Sequence, residues 1–184
     1  MAKGDTFFIR GQVITTQGSE NRVEAEIDLG SYVNLGINKG TALRVHSVQQ
    51  QVCDSTGLVP IMAGAVSSGR SNTAFCNTAI TTAQVPTSFA ATEMPQLNED
   101  YVMFSAGLVA YTQDSDNNQG MITHDIDVAP QDFRNGYLLA VDTLYLYAAA
   151  DDQWSEDLHC NFLLECSLES ISQATAVSLS LSQN

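Results

Sequence analysis

Basic residues are scarce in this chain of 184 residues. Lysine and arginine together number 7, against 21 aspartates and glutamates, which gives a formal net charge of -14. Proteins that capture nucleic acid or anionic membranes place Lys and Arg against phosphates, yet here only Lys3 and Arg10 precede Gly11. The composition therefore excludes polyanions as favoured partners, and we expect no direct binding of nucleic acid.

Long apolar runs are also missing. The richest stretch, residues 137–150, is interrupted by Asp142 and Thr143, whereas a membrane-spanning helix needs about 18 or more apolar residues in a row. Residues 1–5 lead directly into a strand-like run, without the apolar stretch and small-residue cleavage site of a secretory signal. We therefore expect neither a signal peptide nor insertion into a membrane.

The cysteines are not arranged for metal binding. The chain has four of them, Cys53, Cys76, Cys160 and Cys166, with no Cys-x-x-Cys pair and no histidine at zinc-finger spacing. No Asn-x-Ser/Thr acceptor for N-glycosylation is present, so an oxidising secretory route has little support. We expect free buried thiols, with two disulfides as the alternative.

Motifs that carry catalysis are absent as well. Residues 64–69, Gly-Ala-Val-Ser-Ser-Gly, miss the Gly-x-Ser-x-Gly spacing of a hydrolase nucleophile, and no glycine-rich phosphate loop occurs. The three histidines, His46, His124 and His159, lie far apart in sequence and are interpreted as surface residues. We predict a protein that is not an enzyme and that has no resident cofactor.

What the sequence does contain is alternation of apolar and polar residues with a period of two, which is typical of half-buried strands. Residues 157–170 alternate most clearly, and residues 22–29 repeat the pattern. The positions predicted to face a core are Leu158, Cys160, Phe162, Leu164, Cys166 and Leu168 in the first segment, and Val23, Ala25, Ile27 and Leu29 in the second. Further strands are predicted over 6–16, 42–53, 73–82, 100–113, 122–128, 137–150 and 175–181, which makes about nine in all.

Three kinds of segment depart from simple alternation. The apolar parity of the 42–53 strand changes, which predicts a β-bulge or a change of face near Ser47. Residues 101–111 and 138–147 are apolar on both faces, as expected for strands covered by core, loop or another subunit. Residues 86–99, which contain two prolines, are expected to form a loop that crosses between sheets, with a short helix over 95–100 as the alternative.

These segments together predict an all-β protein. The chain is 44% hydrophobic and has neither an internal repeat nor a linker, so we expect one antiparallel two-sheet sandwich domain spanning residues 1–184. Sequence alone does not give strand order. Jelly-roll, immunoglobulin-like and other sandwiches therefore remain open at this point.

One acidic loop has partial calcium-loop spacing. Asp114, Asp116 and Asn118 alternate as the first ligands of a calcium loop do. Gln119 replaces the glycine that the sharp turn requires, and Asp125 replaces the bidentate glutamate at the twelfth position. The pattern favours a polar hairpin loop, with a weak calcium site as the alternative.

A second acidic loop surrounds the single tryptophan. Trp154 lies close to Asp151 and Asp152, and a ring with neighbouring carboxylates can bind a sugar by stacking and hydrogen bonding. Under this alternative the protein is a carbohydrate-binding β-sandwich of a virion spike or cell surface. The other interpretation of the loop is a solvated hairpin tip.

The C-terminal third carries a resemblance to a known family. The segment NGYLLAVDTLYLY (135–147), the acidic loop after it and the long alternating strand to Ser170 resemble the closing strands of single jelly-roll viral capsid (coat) proteins. The chain also has about the length of one such shell domain. The resemblance implies an eight-stranded jelly roll, here with an extra short C-terminal strand.

The same resemblance implies a structural role. The chain is expected to be a capsid subunit of a virion that self-assembles into a shell through lateral contacts. Its partners would be copies of itself and other virion proteins, and strands that are apolar on both faces would be partly buried between subunits. Because carboxylate-rich interfaces take up cations, we also expect calcium to promote assembly.

Overall fold

The computed structural model describes residues 5–34, 40–62, 71–115, 118–125 and 131–183. Within these ranges the chain forms nine strands followed by one helix. The strands are β1 (Phe7–Ile14), β2 (Val23–Asp28), β3 (Gly40–Cys53), β4 (Ser71–Thr81), β5 (Val102–Ser115), β6 (Asn118–Asp125), β7 (Gln131–Leu139), β8 (Thr143–Ala150) and β9 (His159–Ile171), and the helix is α1 (Gln173–Ser182). All pairings between these strands are antiparallel.

The strands form two sheets, with the orders β1-β9-β3-β7 and β2-β8-β4-β5-β6. The first strand therefore pairs with the last, β2 with β8, β3 with β7, and β4 with β5. This nested pairing is that of one long hairpin rolled up so that its strands alternate between two sheets, which is the double-sheet jelly roll. The predicted antiparallel sandwich is confirmed, and β6 is the strand added to the eight.

The core lies between the two sheets, where Phe104 of β5 meets Phe162 of β9 edge to face with ring centroids 6.0 Å apart. The alternation predicted for β9 is confirmed over most of its length, because the side chains that face the core are Leu158, Cys160, Phe162, Leu164 and Cys166. In β2, the predicted core positions Ile27 and Leu29 are buried and the intervening acidic residues are exposed.

Leu168 is the exception in β9, since it is 41% exposed rather than buried. The reason lies in the neighbouring strand. β1 begins at Phe7, which pairs with Cys166, so no β1 residue lies beside Leu168. An alternating pattern therefore predicts which face a residue occupies, but whether that face is covered depends on where the neighbouring strand begins.

The bulge predicted near Ser47 is confirmed. β3 shifts its register between Val45 and Ser47 against both of its neighbours, β7 and β9. His46 is the extra residue, and because of it Val45 and Val48 both face the core although they are three positions apart.

The predicted strand over 137–150 is wrong as a single element. It is divided into β7 and β8, which lie in different sheets. The chain crosses between the sheets at Ala140–Asp142, and the main-chain oxygen of Asp142 accepts a hydrogen bond from the Leu29 amide at 2.7 Å. Asp142, which interrupts the apolar run, marks the crossing, but the run contains no glycine or proline there.

The predicted C-terminal strand over 175–181 is also wrong, because these residues lie in α1. The Ser172 side chain caps the helix by accepting a hydrogen bond from the Thr175 amide at 3.2 Å. Ala176 then packs against Ala42 and Ile171, which lie on β3 and at the end of β9. Among the described residues, no helix is long and apolar enough to cross a membrane.

The segment between β4 and β5 was predicted to cross between the sheets, and this is wrong because its two flanking strands are neighbours in one sheet. Its residues instead fold back over the outer face of that sheet, where Val85 and Phe89 pack on Tyr147. Residues 95–100 form turns rather than the alternative short helix. A loop of the same chain, and not a second subunit, therefore covers the outer face of β8 at Tyr147.

Candidate functional site

Two loops meet at one end of the sandwich and form the candidate site. One is the loop between β3 and β4, described as far as Met62, and the other is the acidic loop at 151–158 between β8 and β9. They are joined by a β-bridge between Met62 and Trp154, and the Ser155 amide and hydroxyl both donate to the Ile61 oxygen, at 2.9 and 2.7 Å. The Ile61 amide in turn donates to Oε1 of Glu156 at 2.9 Å.

Trp154 does not occupy the exposed position that the carbohydrate alternative needs. Its side chain is only 2% exposed and belongs to the main core, where it is the largest buried side chain. Its indole Nε1 donates a hydrogen bond to the main-chain oxygen of Phe75 at 2.9 Å. A large aromatic ring with one satisfied polar atom is a structural anchor, so the ring is not available for stacking on a sugar.

Asp151 is likewise a structural residue. It is 7% exposed, and its carboxylate accepts hydrogen bonds from the amides of Phe75, at 3.0 Å, and Gln153, at 3.1 Å. Burial raises the pKa of Asp151 above its ordinary value, and the two main-chain hydrogen bonds offset this only in part. Of the three residues predicted to contact a sugar, Asp152 alone is exposed to solvent.

The β3–β4 loop presents an apolar surface that sequence analysis missed. The side chains of Leu58, Val59 and Ile61 are 67%, 60% and 63% exposed, and we call them the apolar loop patch. They are three of the ten large hydrophobic side chains exposed in the described part of the chain. An exposed apolar cluster on a fixed loop is typical of a surface that is covered by another molecule.

Asp54 fixes this loop. Its Oδ1 accepts hydrogen bonds from the amide and the hydroxyl of Thr56, both at 2.7 Å, and from the Leu58 amide at 2.8 Å. These hydrogen bonds hold the pKa of Asp54 below its ordinary value, and the bond from the Thr56 hydroxyl lowers it most. Gly57 has a positive φ of 85°, which closes the turn. The sequence signal was present as an Asp-Ser-Thr-Gly turn placed directly before apolar residues.

The predicted calcium site is only partly covered by the structure. Asp116 lies outside the described residues, as do the side chains of Asp114 and Asn118. The backbone on either side forms the β5–β6 hairpin, whose ladder extends to the pair Ser115–Asn118. In the part of the chain that the structure describes, no group of three or more His, Cys, Asp or Glu is placed to hold a metal. The calcium site therefore stays a prediction.

Polar side chains line the bulge in β3, on the face away from the core. His46 Nε2 lies 2.8 Å from Oγ of Ser167, and Arg44 forms an ion pair with Glu169 that lowers the pKa of that carboxyl. Ser167 is itself buried, at 8% exposure. These pairs connect β3 to β9, so we interpret the serine and histidine as a bridge between strands rather than as a nucleophile and its base.

Comparison with known proteins adds evidence from structure alone. No family model matches the chain, and no curated protein matches it by sequence. Among solved structures, VP1 of Trichodysplasia spinulosa-associated polyomavirus, in complex with sialylated glycooligomers, superimposes with a TM-score of 0.50 at 12% identity. That match covers 91% of this chain and 95% of the other.

The chain has the jelly-roll fold of these viral capsid proteins. Merkel cell polyomavirus VP1, in complex with disialyllactose, gives a TM-score of 0.47 at 9% identity and covers 90% of this chain and 95% of its own. New Jersey polyomavirus VP1 gives 0.44 at 10% identity, with 91% and 100% covered. The match at a TM-score of 0.50 and the strand order confirm the resemblance to single jelly-roll capsid proteins for the fold.

Proposed function

We propose that this chain is a viral capsid subunit, a single jelly-roll domain over residues 1–184 that assembles with copies of itself into a shell. The observation that carries this proposal is the nested strand order, in which β1 pairs with β9, β2 with β8 and β3 with β7. The likeness to polyomavirus VP1 over nearly the whole of both chains supports it. The protein is then a structural component of the virion and not an enzyme.

The apolar loop patch supports a lateral contact between subunits. Leu58, Val59 and Ile61 are each more than half exposed, on a loop whose first turn Asp54 stabilises by hydrogen bonds. Burying such side chains removes about 25 cal/mol of unfavourable free energy for each Å² of apolar surface. Internal hydrogen bonds reduce the conformational entropy that a loop loses on binding, so the patch is suited to contact with a neighbouring copy.

The net charge sets the conditions under which copies associate. Two chains of charge -14 repel each other. Salt screens the repulsion between charges that are farther apart than the Debye length, which is about 8–10 Å at physiological ionic strength. Divalent cations bound between carboxylates remove it more effectively. We therefore propose that calcium or raised salt promotes assembly, and that other virion proteins contact the genome.

Carbohydrate binding stays an alternative prediction, but Trp154, the residue expected to contact the sugar, is buried. The VP1 of Trichodysplasia spinulosa-associated polyomavirus is described in complex with sialylated glycooligomers. In this chain the ring of Trp154 is buried, so a glycan would have to bind a different surface. A glycan array probed with the intact chain tests this alternative directly.

The capsid proposal is tested by the oligomeric state of the purified chain. We would measure size-exclusion chromatography with light scattering, with calcium and with chelator, and examine each peak by negative-stain microscopy. The proposal predicts pentamers, hexamers or shells that grow with calcium. A monomer of 19.8 kDa in every buffer would overturn it.

A pair of variants tests the patch. The variant Leu58→Asp places one charge on the patch and is expected to reduce assembly to small species. The matched control is Leu97→Asp, which adds the same charge at a side chain that is 62% exposed but lies in the β4–β5 loop. Equal assembly by Leu58→Asp and the control would contradict the role of the patch while leaving the capsid proposal intact.

A further inference from the structure

Two of the four cysteines meet across the core. Cys76 lies on β4 in the five-stranded sheet, and Cys160 lies on β9 in the four-stranded sheet. Both side chains face inward and have no exposed surface. Their Sγ atoms are 3.7 Å apart, which places one thiol in contact with the other across the sandwich.

The other two cysteines have different partners. Cys53 Sγ accepts a hydrogen bond from Nδ2 of Asn161 at 3.2 Å. Cys166 Sγ lies 3.6 Å from the main-chain oxygen of Leu164 in its own strand. The sulfur–sulfur contact in this core is that between Cys76 and Cys160, although Cys53 is near enough for a charge on it to act on Cys160.

The two sulfur atoms are at contact distance and have to move to form a cross-link. A disulfide has an S–S distance of about 2.05 Å, so they would have to approach by about 1.7 Å through side-chain rotation and movement of the sheets. Facing sheets pack about 10 Å apart, and in immunoglobulin domains a cysteine pair spans this gap next to a buried tryptophan. Here Trp154 lies in the same core and donates to the oxygen of Phe75, the residue before Cys76.

We propose that Cys76 and Cys160 are an oxidisable pair, which a small peroxide converts into a disulfide that joins the two sheets. The first thiol attacks one peroxide oxygen and the O–O bond breaks, which yields a sulfenic acid and one water. The second thiol then attacks the sulfenic sulfur, the S–O bond breaks and a second water leaves. Two thiols and one hydrogen peroxide thus give one disulfide and two waters.

The surroundings of the pair determine which oxidant is effective. The hydrogen bond to Cys76, followed by burial, raises the pKa of Cys160 well above its ordinary value, so the thiolate is scarce at neutral pH. Bulky disulfides such as oxidised glutathione cannot enter a core in which both thiols are fully covered. We therefore expect slow oxidation by hydrogen peroxide and none by glutathione disulfide while the chain stays folded. This inference does not depend on the capsid proposal.

The test uses the full chain, purified in reducing buffer and then treated with hydrogen peroxide. Remaining thiols are blocked under denaturing conditions, and peptides are mapped by mass spectrometry without reduction. We expect two of the four thiols to disappear, a cross-linked peptide that joins Cys76 to Cys160, and a higher midpoint of thermal unfolding that reductant reverses.

The matched control is Cys53→Ala, because Cys53 is also buried and lies near Cys160, while its own hydrogen bonds are to Asn161 and the main chain of His159. This variant should lose the same two thiols, whereas Cys76→Ala should form no cross-link at Cys160. Retention of all four thiols by the peroxide-treated wild-type chain would overturn the proposal. Cross-links that involve Cys166, and oxidation of Cys160 to sulfinic acid without a cross-link, would overturn it as well. The mapping of the wild-type chain decides the outcome even where Cys76→Ala fails to fold.

Discussion

Replacing Trp154 by alanine is expected to destabilise the sandwich strongly. The indole is 2% exposed, and its Nε1 donates a hydrogen bond of 2.9 Å to the oxygen of Phe75. Removal of a large buried aromatic side chain costs about 3–5 kcal/mol, because the cavity that it leaves closes only in part. Trp154→Phe keeps most of the ring volume but loses the hydrogen bond, so its expected cost is about 1–2 kcal/mol.

Equilibrium unfolding in urea, followed by far-ultraviolet circular dichroism, measures these free energies. The expected order of stability is wild type, then Trp154→Phe, then Trp154→Ala. The control is Leu181→Ala on α1, where the side chain is 77% exposed and the change should stay within about 0.5 kcal/mol. Because the chain has one tryptophan, the fluorescence of the wild type provides an independent measure of burial.

Two results would refute this reasoning. The first is an unfolding midpoint of Trp154→Ala that equals that of the wild type. The second is quenching of the tryptophan emission by acrylamide, a neutral quencher suited to an acidic chain, to the extent seen for free N-acetyltryptophanamide. The first result would mean that the ring does not anchor the core, and the second would place the ring in solvent and restore the stacking residue of the carbohydrate alternative.

Three further changes have expected outcomes. Gln183→Ala removes the side chain that accepts from the amide of Ala140, at 3.0 Å, and donates to the oxygen of Leu138, at 2.6 Å. One buried and one partly buried main-chain group lose their partner, so we expect the free energy of unfolding, measured in urea, to fall by about 1–3 kcal/mol. Gly11→Val should lower the free energy of unfolding by about 1–3 kcal/mol, since a Cβ at Gly11 would lie 2.6 Å from two core methyl groups. Burial holds the pKa of Asp151 above 3.8 in the folded chain. The protonated carboxyl therefore stabilises the fold at acid pH, and this stabilisation is lost as pH rises through the folded pKa. Asp151→Asn should abolish this part of the pH dependence.

Each of these expectations can fail in a distinct way. Wild-type stability in Gln183→Ala would mean that the amide is replaced by water. A Gly11→Val variant as stable as the wild type would mean that the sheets separate there at little cost. Stability curves of wild type and Asp151→Asn that run parallel over pH ~3 to ~6 would show that the carboxyl titrates as in the unfolded chain.

Much of the strand content follows from local pattern. The alternation in β2 and β9, and the parity change at Ser47 in β3, are properties of side-chain order along one strand. A strand must place successive side chains on opposite faces, so apolar residues at every second position predict the buried face without knowledge of any neighbour. An extra residue that shifts this parity predicts a bulge for the same reason.

The wrong predictions concern segments whose residue pattern fits two different structures. Residues 175–181 alternate well enough for a strand, but Ser172 supplies a helix cap and Ala176 fits against β3 and β9, so the helix is preferred. The run over 137–150 is apolar on both parities, and its interruption at Asp142 does not by itself show that residues 140–142 cross to the other sheet. The pairing partners of β7 and β8 decide that crossing.

The candidate site also combines features that the sequence shows with features that depend on the folded structure. The turn residues before Leu58 and the acidic residues around Trp154 are evident in the sequence. That the tryptophan turns inward while Leu58 and Ile61 turn outward depends on the register between two loops that are more than 90 residues apart in the chain. The strand order, and the structural match to a polyomavirus VP1 at 12% identity, are likewise visible only in three dimensions.

Charge and two-residue periodicity are local properties, so the order of residues is enough to predict an acidic, all-β protein and the faces of its clearest strands. The folded chain was needed to see the strand order, the burial of Trp154 and Asp151, the exposure of the apolar loop patch and the contact between Cys76 and Cys160. Each of these depends on which distant segments pack together, and that choice rests on the packing of the whole chain.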